Sequence, residues 1–282
     1  MSENHIPLAQ AEERPGEVDP NASQRDQPPV VIADHLGHNY GTRQALHDIS
    51  FCVGQGEIFS VLGPNGSGKS TLFRILSTLT LPSRGRVVIQ GYDVAREVMQ
   101  VRRQIGVVFQ SPTVDEQLTI VENLRCHGHM YGIPGSVLTG RIETTLDQLR
   151  LADRRNEKTA ALSEGQRRQI DVAKASLHQP PVLLLDEPST GLDPGARLDL
   201  WQQLQFLKEY GTTVLLTTHI LDEADRCDRV LILHRGRLVA EGTPATLRAR
   251  VRGDVVILEV AELEEMQTRI SGTFQRAADD CE

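Results

Sequence analysis

The stretch GPNGSGKST, residues 63–71, limits what this chain can fold into more than any other part of its sequence. It matches the pattern G-x-x-x-x-G-K-[ST] through Gly63, Gly68, Lys69 and Ser70. The apolar run IFSVLG precedes this pattern, and the helix-like stretch KSTLFRILSTL follows it. A strand, a glycine-rich loop and a helix in this order predict a phosphate-binding loop in an α/β core. The alternative is a glycine-rich turn that binds no ligand.

The residue types in this loop suit a nucleotide bound together with Mg²⁺. Glycines let backbone N–H groups converge on phosphate oxygens, and the N-terminus of the following helix adds a favourable dipole. Lys69 supplies a cation for the β- and γ-phosphates, and the Ser70 hydroxyl is placed to ligate Mg²⁺. We expect the nucleotide to contact the whole loop, which consists of Gly63, Pro64, Asn65, Gly66, Ser67, Gly68, Lys69, Ser70 and Thr71.

A second apolar run, VLLLDE, ends in the adjacent acids Asp186 and Glu187. We expect its strand to lie beside the strand that enters the phosphate loop, where Asp186 would hold Mg²⁺ directly or through water. Successive strand residues face opposite ways, so Glu187 points differently and is a candidate base for the attacking water. These acids predict hydrolysis of ATP or GTP, whereas the alternative is a pair of surface acids at the end of a strand.

Strand-like and helix-like stretches alternate along the chain, which predicts an α/β fold with a P-loop NTPase core of mostly parallel sheet and helices. The stretches VVIADHLGHNYG and ALHDISFCVGQGE predict an N-terminal antiparallel β subdomain. Apolar residues recur at three- and four-residue intervals over about residues 115–178, which predicts an inserted α-helical subdomain. The stretch VLILHRGRLVAEG predicts a hairpin that turns at Arg235 and Gly236.

The two ends of the chain differ from the part between them. Residues 1–28 hold six acidic and two basic residues and four prolines. They predict a disordered acidic tail, because so little apolar surface does not offset the entropy lost on ordering. Residues 29–250 form the predicted nucleotide-binding domain. Residues 251–282 form a short C-terminal extension, in which DVVILEVAEL suggests one more strand and EEMQTRI a short helix.

Composition argues against several other classes of protein. A net charge of -8 argues against a nucleic-acid partner, since DNA-binding domains usually gather a basic excess on one face. The four cysteines form no CxxC pair, which favours reduced thiols over a disulfide framework or a zinc site. No run approaches the roughly 18–20 apolar residues that span a bilayer, and the N-terminus lacks the pattern of a signal peptide. We therefore expect a cytoplasmic chain that reaches a membrane only through another polypeptide.

Together with further motifs, these residues resemble the ATP-binding cassette (ABC) ATPases over roughly residues 29–247. Seven motifs occur in the family's order, which makes the resemblance highly specific. They are Tyr40 in GHNYG, the phosphate loop, Gln110 in VVFQ, LSEGQ at residues 162–166, VLLLDE, STGLD at residues 189–193, and His219 in TTH. Taken singly, Tyr40, Gln110 and His219 are better explained as packed or strand-end residues, because none of them defines a site by itself.

The resemblance implies that two cassettes, as a homodimer or a heterodimer, sandwich two ATP molecules. Tyr40 would stack on adenine, Gln110 would sense Mg²⁺ and the water, and His219 would bind the γ-phosphate and hold Glu187. Ser163 and the backbone near Gly165 would meet the γ-phosphate of the other subunit at a positive helix end. Gln166 and Asp193 are also expected to bind the nucleotide. The candidate catalytic residues are Lys69, Gln110, Glu187 and His219, and the candidate Mg²⁺ ligands are Ser70, Gln110 and Asp186.

The stretch SPTVDEQLTIVENL and the single compact cassette look like the ATPase subunits of drug-resistance and nodulation exporters. About 35 residues follow Thr246, too few for the long C-terminal regulatory domain of sugar-import ATPases. The resemblance thus implies an ATPase on the cytoplasmic face of the inner (cell) membrane, partnered by a multi-spanning permease that selects the substrate. Two alternatives stay open. One is a soluble ABC ATPase that acts on ribosomes or DNA, and the other is a different P-loop enzyme such as a small-molecule kinase.

The motif LSEGQ departs from the usual family form LSGGQ at Glu164. One interpretation is an outward-facing residue in the first turn of a helix, where the helix dipole favours an acid. The other is that the carboxylate weakens engagement of the γ-phosphate across the dimer and slows closure. Ser163 and Gly165, the residues expected to face phosphate, are both present.

Overall fold

The computed structural model describes residues 29–250, and those up to Leu247 belong to one compact unit. The predicted acidic tail at 1–28 and the predicted extension at 251–282 lie outside the described residues, as do the strand and helix expected within that extension. The elements in chain order are β1 (Val31–Tyr40), β2 (Arg43–Val53), β3 (Ile58–Leu62), α1 (Lys69–Leu76), β4 (Arg84–Ile89), β5 (Tyr92–Asp93), α2 (Val98–Gln104), β6 (Ile105–Val108), α3 (Ile120–Met130), α4 (Gly135–Gln148), α5 (Glu164–Ser176), β7 (Val182–Asp186), α6 (Pro194–Glu209), β8 (Thr213–Thr218), α7 (Leu221–Ala224), β9 (Arg229–His234), β10 (Arg237–Gly242) and α8 (Pro244–Arg250).

Four strands form the predicted antiparallel sheet, in the order β2-β1-β4-β5. Along β2 the buried residues Ile49, Phe51 and Val53 alternate with exposed ones, as a strand with one face on a core requires. The Phe51 ring stacks on Phe59 of β3, with 5.7 Å between ring centroids. The antiparallel sheet therefore shares a core with the strand that enters the phosphate loop.

Six strands form the second sheet, in the order β10-β9-β3-β8-β7-β6. Neighbours from β9 to β6 are parallel, and β10 pairs with β9 antiparallel at one edge. Every residue of β3 and β8 is buried, as expected of parallel strands covered by helices on both faces. This confirms the predicted α/β core of mostly parallel sheet.

The expected adjacency of the two site strands is wrong. The strand β7, which ends in Asp186, does not pair with β3, because β8 lies between them. The chain leaves β7 through α6 and returns as β8 on the side of β7 nearer to β3, and such crossovers rather than chain order set strand neighbours. The intervening strand contributes Thr217, which pairs in register with Asp186.

Three helices, α3, α4 and α5, lie between β6 and β7 in chain order, where the α-helical insertion is predicted. They share a hydrophobic cluster separate from those of the two sheets, with Leu124, Ile142 and Ile170 among its most buried members. The helix α3 begins with a capping box, in which Thr119 and Glu122 satisfy each other's backbone N–H groups. The three helices therefore pack around a hydrophobic cluster of their own and follow one another between β6 and β7.

The predicted hairpin is confirmed as β9 and β10, joined by a tight turn. Both turn residues, Arg235 and Gly236, have positive φ, at 48° and 72°. A Cβ atom on Gly236 would lie 2.4 Å from the carbonyl oxygen of Ala45, so only glycine fits there. The Gly236 N–H donates to the Ser67 carbonyl at 2.8 Å, so the hairpin tip braces the phosphate loop.

Two further findings concern residues 29–250 as a whole. Within this range, no helix is both long enough and apolar enough to cross a membrane. Three of the four cysteines fall in the same range, namely Cys52, Cys126 and Cys227, and all three are free thiols.

Candidate functional site

The phosphate loop connects β3 to α1, and Lys69 is the first residue of that helix. Gly68 occupies the N-cap position with φ 108°, in the left-handed region that favours glycine. The Lys69 side chain is 4 % exposed, and its Nζ donates to the carbonyl oxygens of Gly63 at 2.7 Å and Pro64 at 3.3 Å. The loop backbone therefore fixes the ammonium group at the base of the loop.

The acid pair at the end of β7 is held by Thr217 of β8. The Thr217 hydroxyl donates to Asp186 Oδ1 at 2.5 Å and accepts from the Glu187 N–H at 3.0 Å. Glu187 has φ 44°, an uncommon conformation for a residue with a side chain. Strained backbone of this kind persists where the surroundings fix it, and it is concentrated at functional sites. Thr217 therefore holds the Asp186 carboxylate and the Glu187 backbone.

The Glu187 carboxylate lies between a lysine and a histidine. Its Oε1 is 3.2 Å from Lys69 Nζ, and its Oε2 is 3.1 Å from His219 Nδ1. The Glu187 side chain is 11 % exposed, so a narrow access to solvent remains. A carboxylate fixed at the mouth of a phosphate loop, with an imidazole beside it, is well placed to orient a water molecule.

Asp186 is a partly buried carboxyl at the end of β7. Burial raises the pKa of its carboxyl above the ordinary value, and the charge of Glu187 adds to this effect, whereas Thr217 and Lys69 oppose it. A bound divalent cation would favour the ionised form that burial disfavours. Among the described residues, no group of three or more His, Cys, Asp or Glu side chains forms a metal cage. Mg²⁺ needs no such cage, because it usually binds one or two carboxylates, substrate phosphates and water.

Nine of the predicted site residues line one cleft of about 730 Å³. Tyr40 lies at its rim, 48 % exposed, and its ring meets His38 edge-on with 4.5 Å between centroids. The predicted residues that line the cleft are Tyr40, Asn65, Gly66, Gly68, Lys69, Ser70, Thr71, Gln110 and Glu187. The Ser70 hydroxyl and the Gln110 amide therefore share one cleft with Glu187. Asp186 is the residue before Glu187 in the chain. Oxygen atoms of Ser70, Gln110 and Asp186 are the kind of ligand that Mg²⁺ prefers.

Part of the cleft was not foreseen from the sequence. Six further lining residues come from the start of β2 and from the hairpin tip, namely Arg43, Gln44, Ala45, His47, Arg235 and Gly236. Two of them are arginines, and the exposed Arg43 lies three residues after Tyr40. Its proximity to the predicted adenine-stacking residue is the one sequence signal that could have pointed to it. Arg235 comes from a distant hairpin, which no local pattern connects to the phosphate loop.

Other predicted residues lie outside the cleft lining. Gly63, Pro64 and Ser67 form the part of the loop that binds Lys69 and the hairpin tip. His219 contacts Glu187, which lines the cleft, and Asp186 is bound by Thr217, which also accepts from the Glu187 N–H. The cleft of the same chain does not include Ser163, Gly165, Gln166 or Asp193.

The signature residues 162–166 open the helix α5, as expected. Ser163 is the N-cap, and its hydroxyl accepts from the Gln166 N–H, while the Gln166 side chain accepts from the Ser163 N–H, both at 3.2 Å. This capping box fixes the exposed helix start. Asp193 likewise caps α6, since its Oδ1 accepts from Gly195 N at 2.9 Å and Ala196 N at 3.0 Å. In this chain, Gln166 and Asp193 thus stabilise helix starts.

The start of α5 packs on the loop 189–193 and the start of α6. A Cβ atom on Gly165 would lie 2.4 Å from Ala196 Cβ, so the absence of a side chain lets the two helices approach. Glu164 is exposed, and its Oε1 lies 3.2 Å from the Cβ position of Gly191. The Glu164 carboxylate is therefore turned toward the loop 189–193 of its own chain.

Comparison with known proteins decides the family. A protein-family model described as "ABC transporter" matches residues 46–190, slightly more than half of the chain. The chain belongs to the ABC transporter family. The protein is accordingly an ATPase.

Similar proteins include the daunorubicin resistance ATP-binding protein DrrA3 of Streptomyces coeruleorubidus. It is 40% identical over 238 residues, which cover 83% of this chain and 75% of that protein. The Nod factor export ATP-binding protein I of Ralstonia nicotianae is 36% identical over 250 residues, covering 88% of this chain and 78% of that protein. Both are ATP-binding proteins by name, which agrees with the resemblance drawn from the motifs.

Solved structures of ABC cassettes share the fold. The structure titled "Structure of ATP binding subunit of ABC transporter" has a TM-score of 0.72 and 33% identity, and covers 86% of this chain and 99% of that one. The cbiO1 structure from Clostridium perfringens, described as part of the ABC transporter complex cbiONQ, has a TM-score of 0.73 and 29% identity, covering 78% and 91%. These similarities confirm the predicted fold class.

Proposed function

We propose that this cassette powers an exporter, in which a separate multi-spanning permease carries the substrate across the cell membrane. The single observation that carries the ATPase part is the Glu187 carboxylate, fixed between Lys69 and His219 at the mouth of the phosphate loop. The export part rests on relatives named for drug resistance and for Nod factor export. The cassette would work on the cytoplasmic face of that membrane.

ATP would enter the 730 Å³ cleft with its adenine on Tyr40 and its phosphates along the loop. The Tyr40 ring is half exposed, which leaves a face free for stacking. Lys69 would leave part of its present contact with Glu187 to bind the β- and γ-phosphates. Arg43 and Arg235, which line the same cleft, add positive charge near the nucleotide.

Ser70, Gln110 and Asp186 would hold Mg²⁺ through oxygen atoms, with Asp186 binding directly or through water. The ion would supply charge neutralisation across the β- and γ-phosphates when bound. Glu187 would orient the attacking water and accept its proton. His219 would keep the Glu187 carboxylate in place and contact the γ-phosphate, which is charge stabilisation by a preorganised group.

We further propose that two cassettes close head to tail on two ATP molecules. In each, Ser163, Gly165, Gln166 and Asp193 would complete the site of the partner. Two features support this: these residues lie outside the cleft of their own chain, and Ser163 stands at the positive end of α5. Hydrolysis would remove the γ-phosphate from the interface and let the pair open.

The proposal is tested by isolating the tagged chain from detergent-solubilised membranes of its source cells. We expect a multi-spanning protein to be recovered with it in near-equal amounts, and ATP hydrolysis in the pair. The Lys69→Ala variant is the matched control, because it should keep the partner while losing hydrolysis. Recovery with ribosomes or nucleic acid, and no membrane protein, would support the soluble alternative instead.

A further inference from the structure

Three charged side chains lie three residues apart on the signature helix α5: Arg168, Asp171 and Lys174. We call them the clamp. Side chains at this spacing lie close to one face of a helix. Arg168 and Asp171 are each 2 % exposed, and the Lys174 side chain is 12 % exposed. Buried charges are costly unless they are paired and hydrogen-bonded, so their contacts need an explanation.

The clamp binds the segment that carries Gln110. At one end of this segment, the Arg168 guanidinium donates to the Phe109 carbonyl at 2.6 Å and to the Gln110 carbonyl. These bonds hold the backbone of Gln110, while its side chain lines the ATP cleft. Arg168 is thus connected to the cleft without lining it.

The other end of the segment is held at Thr113. Asp171 accepts from the Thr113 N–H at 2.9 Å and from its hydroxyl at 2.7 Å. Lys174 donates to the Thr113 carbonyl and hydroxyl, both at 2.7 Å, and lies 3.1 Å from Asp171. Every polar group of Thr113 is therefore bound by α5. Residues 109–113 are fixed to this helix at both ends.

This arrangement mechanically links two sites. The same helix is capped by Ser163, which in the proposed dimer contacts the ATP of the partner. A shift of α5 would therefore move the Gln110 backbone, because the hydrogen bonds of the clamp are short and most of its atoms are excluded from water. Occupancy of the partner's ATP site would then change the position of Gln110 in the chain's own site.

We propose that Arg168, Asp171 and Lys174 are positioning residues that couple the two ATP sites of the dimer. The inference rests on the proposed function, since it requires two cassettes that share two nucleotides. A purely structural role would affect stability or turnover alone. Coupling between sites appears instead as cooperativity in the ATP dependence, with a Hill coefficient up to the number of sites.

The test measures hydrolysis rate against ATP concentration for the intact protein in its transport complex. We expect a wild-type Hill coefficient of about 1.5–2, bounded by the two sites. The Arg168→Met variant should lower the coefficient to about 1, because no side chain then holds the two carbonyls. The Arg168→Lys variant, which retains a cation and a donor, should recover part of the difference.

A second variant covers the case in which Arg168→Met does not fold. Asp171→Asn keeps the shape and an acceptor for the Thr113 N–H but removes the charge beside Lys174. It should also lower the Hill coefficient. Glu116→Gln is the matched control, because Glu116 forms an exposed ion pair with Arg167 of the same helix, with 2.7 Å between the charged atoms, outside the clamp. It should leave the coefficient unchanged.

The outcomes separate the inference from the proposed function. An unchanged Hill coefficient in folded Arg168→Met and Asp171→Asn overturns the coupling role. A wild-type protein with full hydrolysis and a coefficient of 1 also overturns it, but leaves the ATPase assignment intact. A wild-type complex that hydrolyses no ATP contradicts the proposed function itself, and the coupling with it.

Discussion

At the scale of single residues, Glu187 shows how neighbours prepare a side chain for chemistry. Its backbone is held at φ 44° by two hydrogen bonds from its N–H, to the Thr217 carbonyl at 3.1 Å and to the Thr217 hydroxyl at 3.0 Å. Its carboxylate meets Lys69 on one side and His219 on the other. The strain is offset by contacts that fix the carboxylate where the proposed mechanism requires a water molecule to be oriented.

We predict that Glu187→Gln abolishes most hydrolysis and keeps ATP binding. The amide has nearly the same shape but accepts no proton, and loss of a general base costs about 10²–10⁴-fold in rate. Single-turnover hydrolysis and equilibrium binding of a fluorescent ATP analogue measure the two effects. The exposed Glu143→Gln, which makes the same substitution on α4, serves as the control. Hydrolysis at the wild-type rate would show that the base is another group.

Glu164 is the departure from the family pattern, and its carboxylate faces Gly191 of the same chain. We predict that Glu164→Gly changes the ATP concentration for half-maximal hydrolysis by less than about twofold, while it lowers thermal stability. Glycine costs about 0.5–1 kcal/mol in a helix, and the favourable charge at the helix start is lost. The Glu164→Gln variant removes the charge but keeps a side chain, so it separates the effect of the charge from the effect of a glycine in the helix backbone. A several-fold lower half-maximal concentration in both variants would instead mean that the carboxylate hinders γ-phosphate engagement.

At the scale of secondary structure elements, α5 does more than the sequence motif at its start suggests. Its capped N-terminus presents Ser163, its first turn packs on α6, and its middle holds residues 109–113. The packing of α5 on α6 requires Gly165, since a Cβ atom there would lie 2.4 Å from Ala196 Cβ. A glycine expected for phosphate binding is thus also needed for helix packing.

We predict that Gly165→Ala destabilises the cassette by about 1–3 kcal/mol, the usual cost of inserting a methyl group into a packed contact. The paired change Gly165→Ala with Ala196→Gly restores the space and should recover part of the stability. Urea unfolding of the wild type and the two variants measures the free energies. If the double variant is stable but does not hydrolyse ATP, then Gly165 serves phosphate binding as well as packing. Full stability of the single variant would contradict the packing role.

Rings at the end of α3 and just after α5 lie together. Tyr131 stacks on His178 with 3.8 Å between centroids, and His127 lies 6.3 Å from His178. Burial lowers the pKa of each histidine from 6.5 to about 4. The charge of Lys174 adds to the effect at His127, and the charge of Arg141 adds to it at His178. His178 Nε2 donates to the Ile105 carbonyl at 3.1 Å. His127 Nε2 and His178 Nδ1 have no hydrogen-bond partner among the described residues.

We predict that the cassette loses stability as the pH falls from 6.5 toward 4. Because both pKa values are lower in the folded state, the unfolded chain binds protons more tightly, so the stabilisation is complete above pH 6.5 and lost below it. Over this pH range, the free energy of unfolding should fall by on the order of 1 kcal/mol per pH unit for each histidine. Urea unfolding at several pH values measures it. The double variant His127→Gln, His178→Gln should flatten the slope and exposed His129→Gln should not; an unchanged slope in the double variant would contradict this assignment.

At the scale of the whole molecule, the cleft and the signature lie on different parts of the surface. The cleft is built from the antiparallel sheet, the phosphate loop, Gln110 and the hairpin tip, whereas Ser163 stands outside it. In the proposed mechanism, one chain carries both halves of a site but does not join them. A head-to-tail pair of cassettes is the arrangement that would bring each half to its complement.

We predict that Glu187→Gln elutes as a dimer on sizing chromatography with MgATP and as a monomer without it. Slow hydrolysis preserves the γ-phosphate that would join the two signatures to the two loops. The variant with both Glu187→Gln and Lys69→Ala should remain monomeric in MgATP, because it loses the cation for the phosphates. A Glu187→Gln protein that binds ATP and stays monomeric at every concentration would contradict the sandwich arrangement.

The sequence by itself determined the fold class, the phosphate loop, the acid pair and the signature. Each depends on neighbours in the chain: an apolar strand, a glycine-rich turn and a helix specify the loop at Lys69 without distant contacts. The hairpin at Arg235 and the helix start at Ser163 were predictable for the same local reason. These patterns also sufficed to identify the family.

Only the tertiary structure decided how these locally specified segments are arranged and which of them contact each other. It placed β8 between the two site strands and so brought Thr217 to Asp186 and Glu187. It also brought the hairpin tip to the cleft, and Arg168 of α5 to the Gln110 backbone. Strand order and helix contacts depend on which surfaces bury each other, and that is a property of the folded chain rather than of any stretch of its sequence.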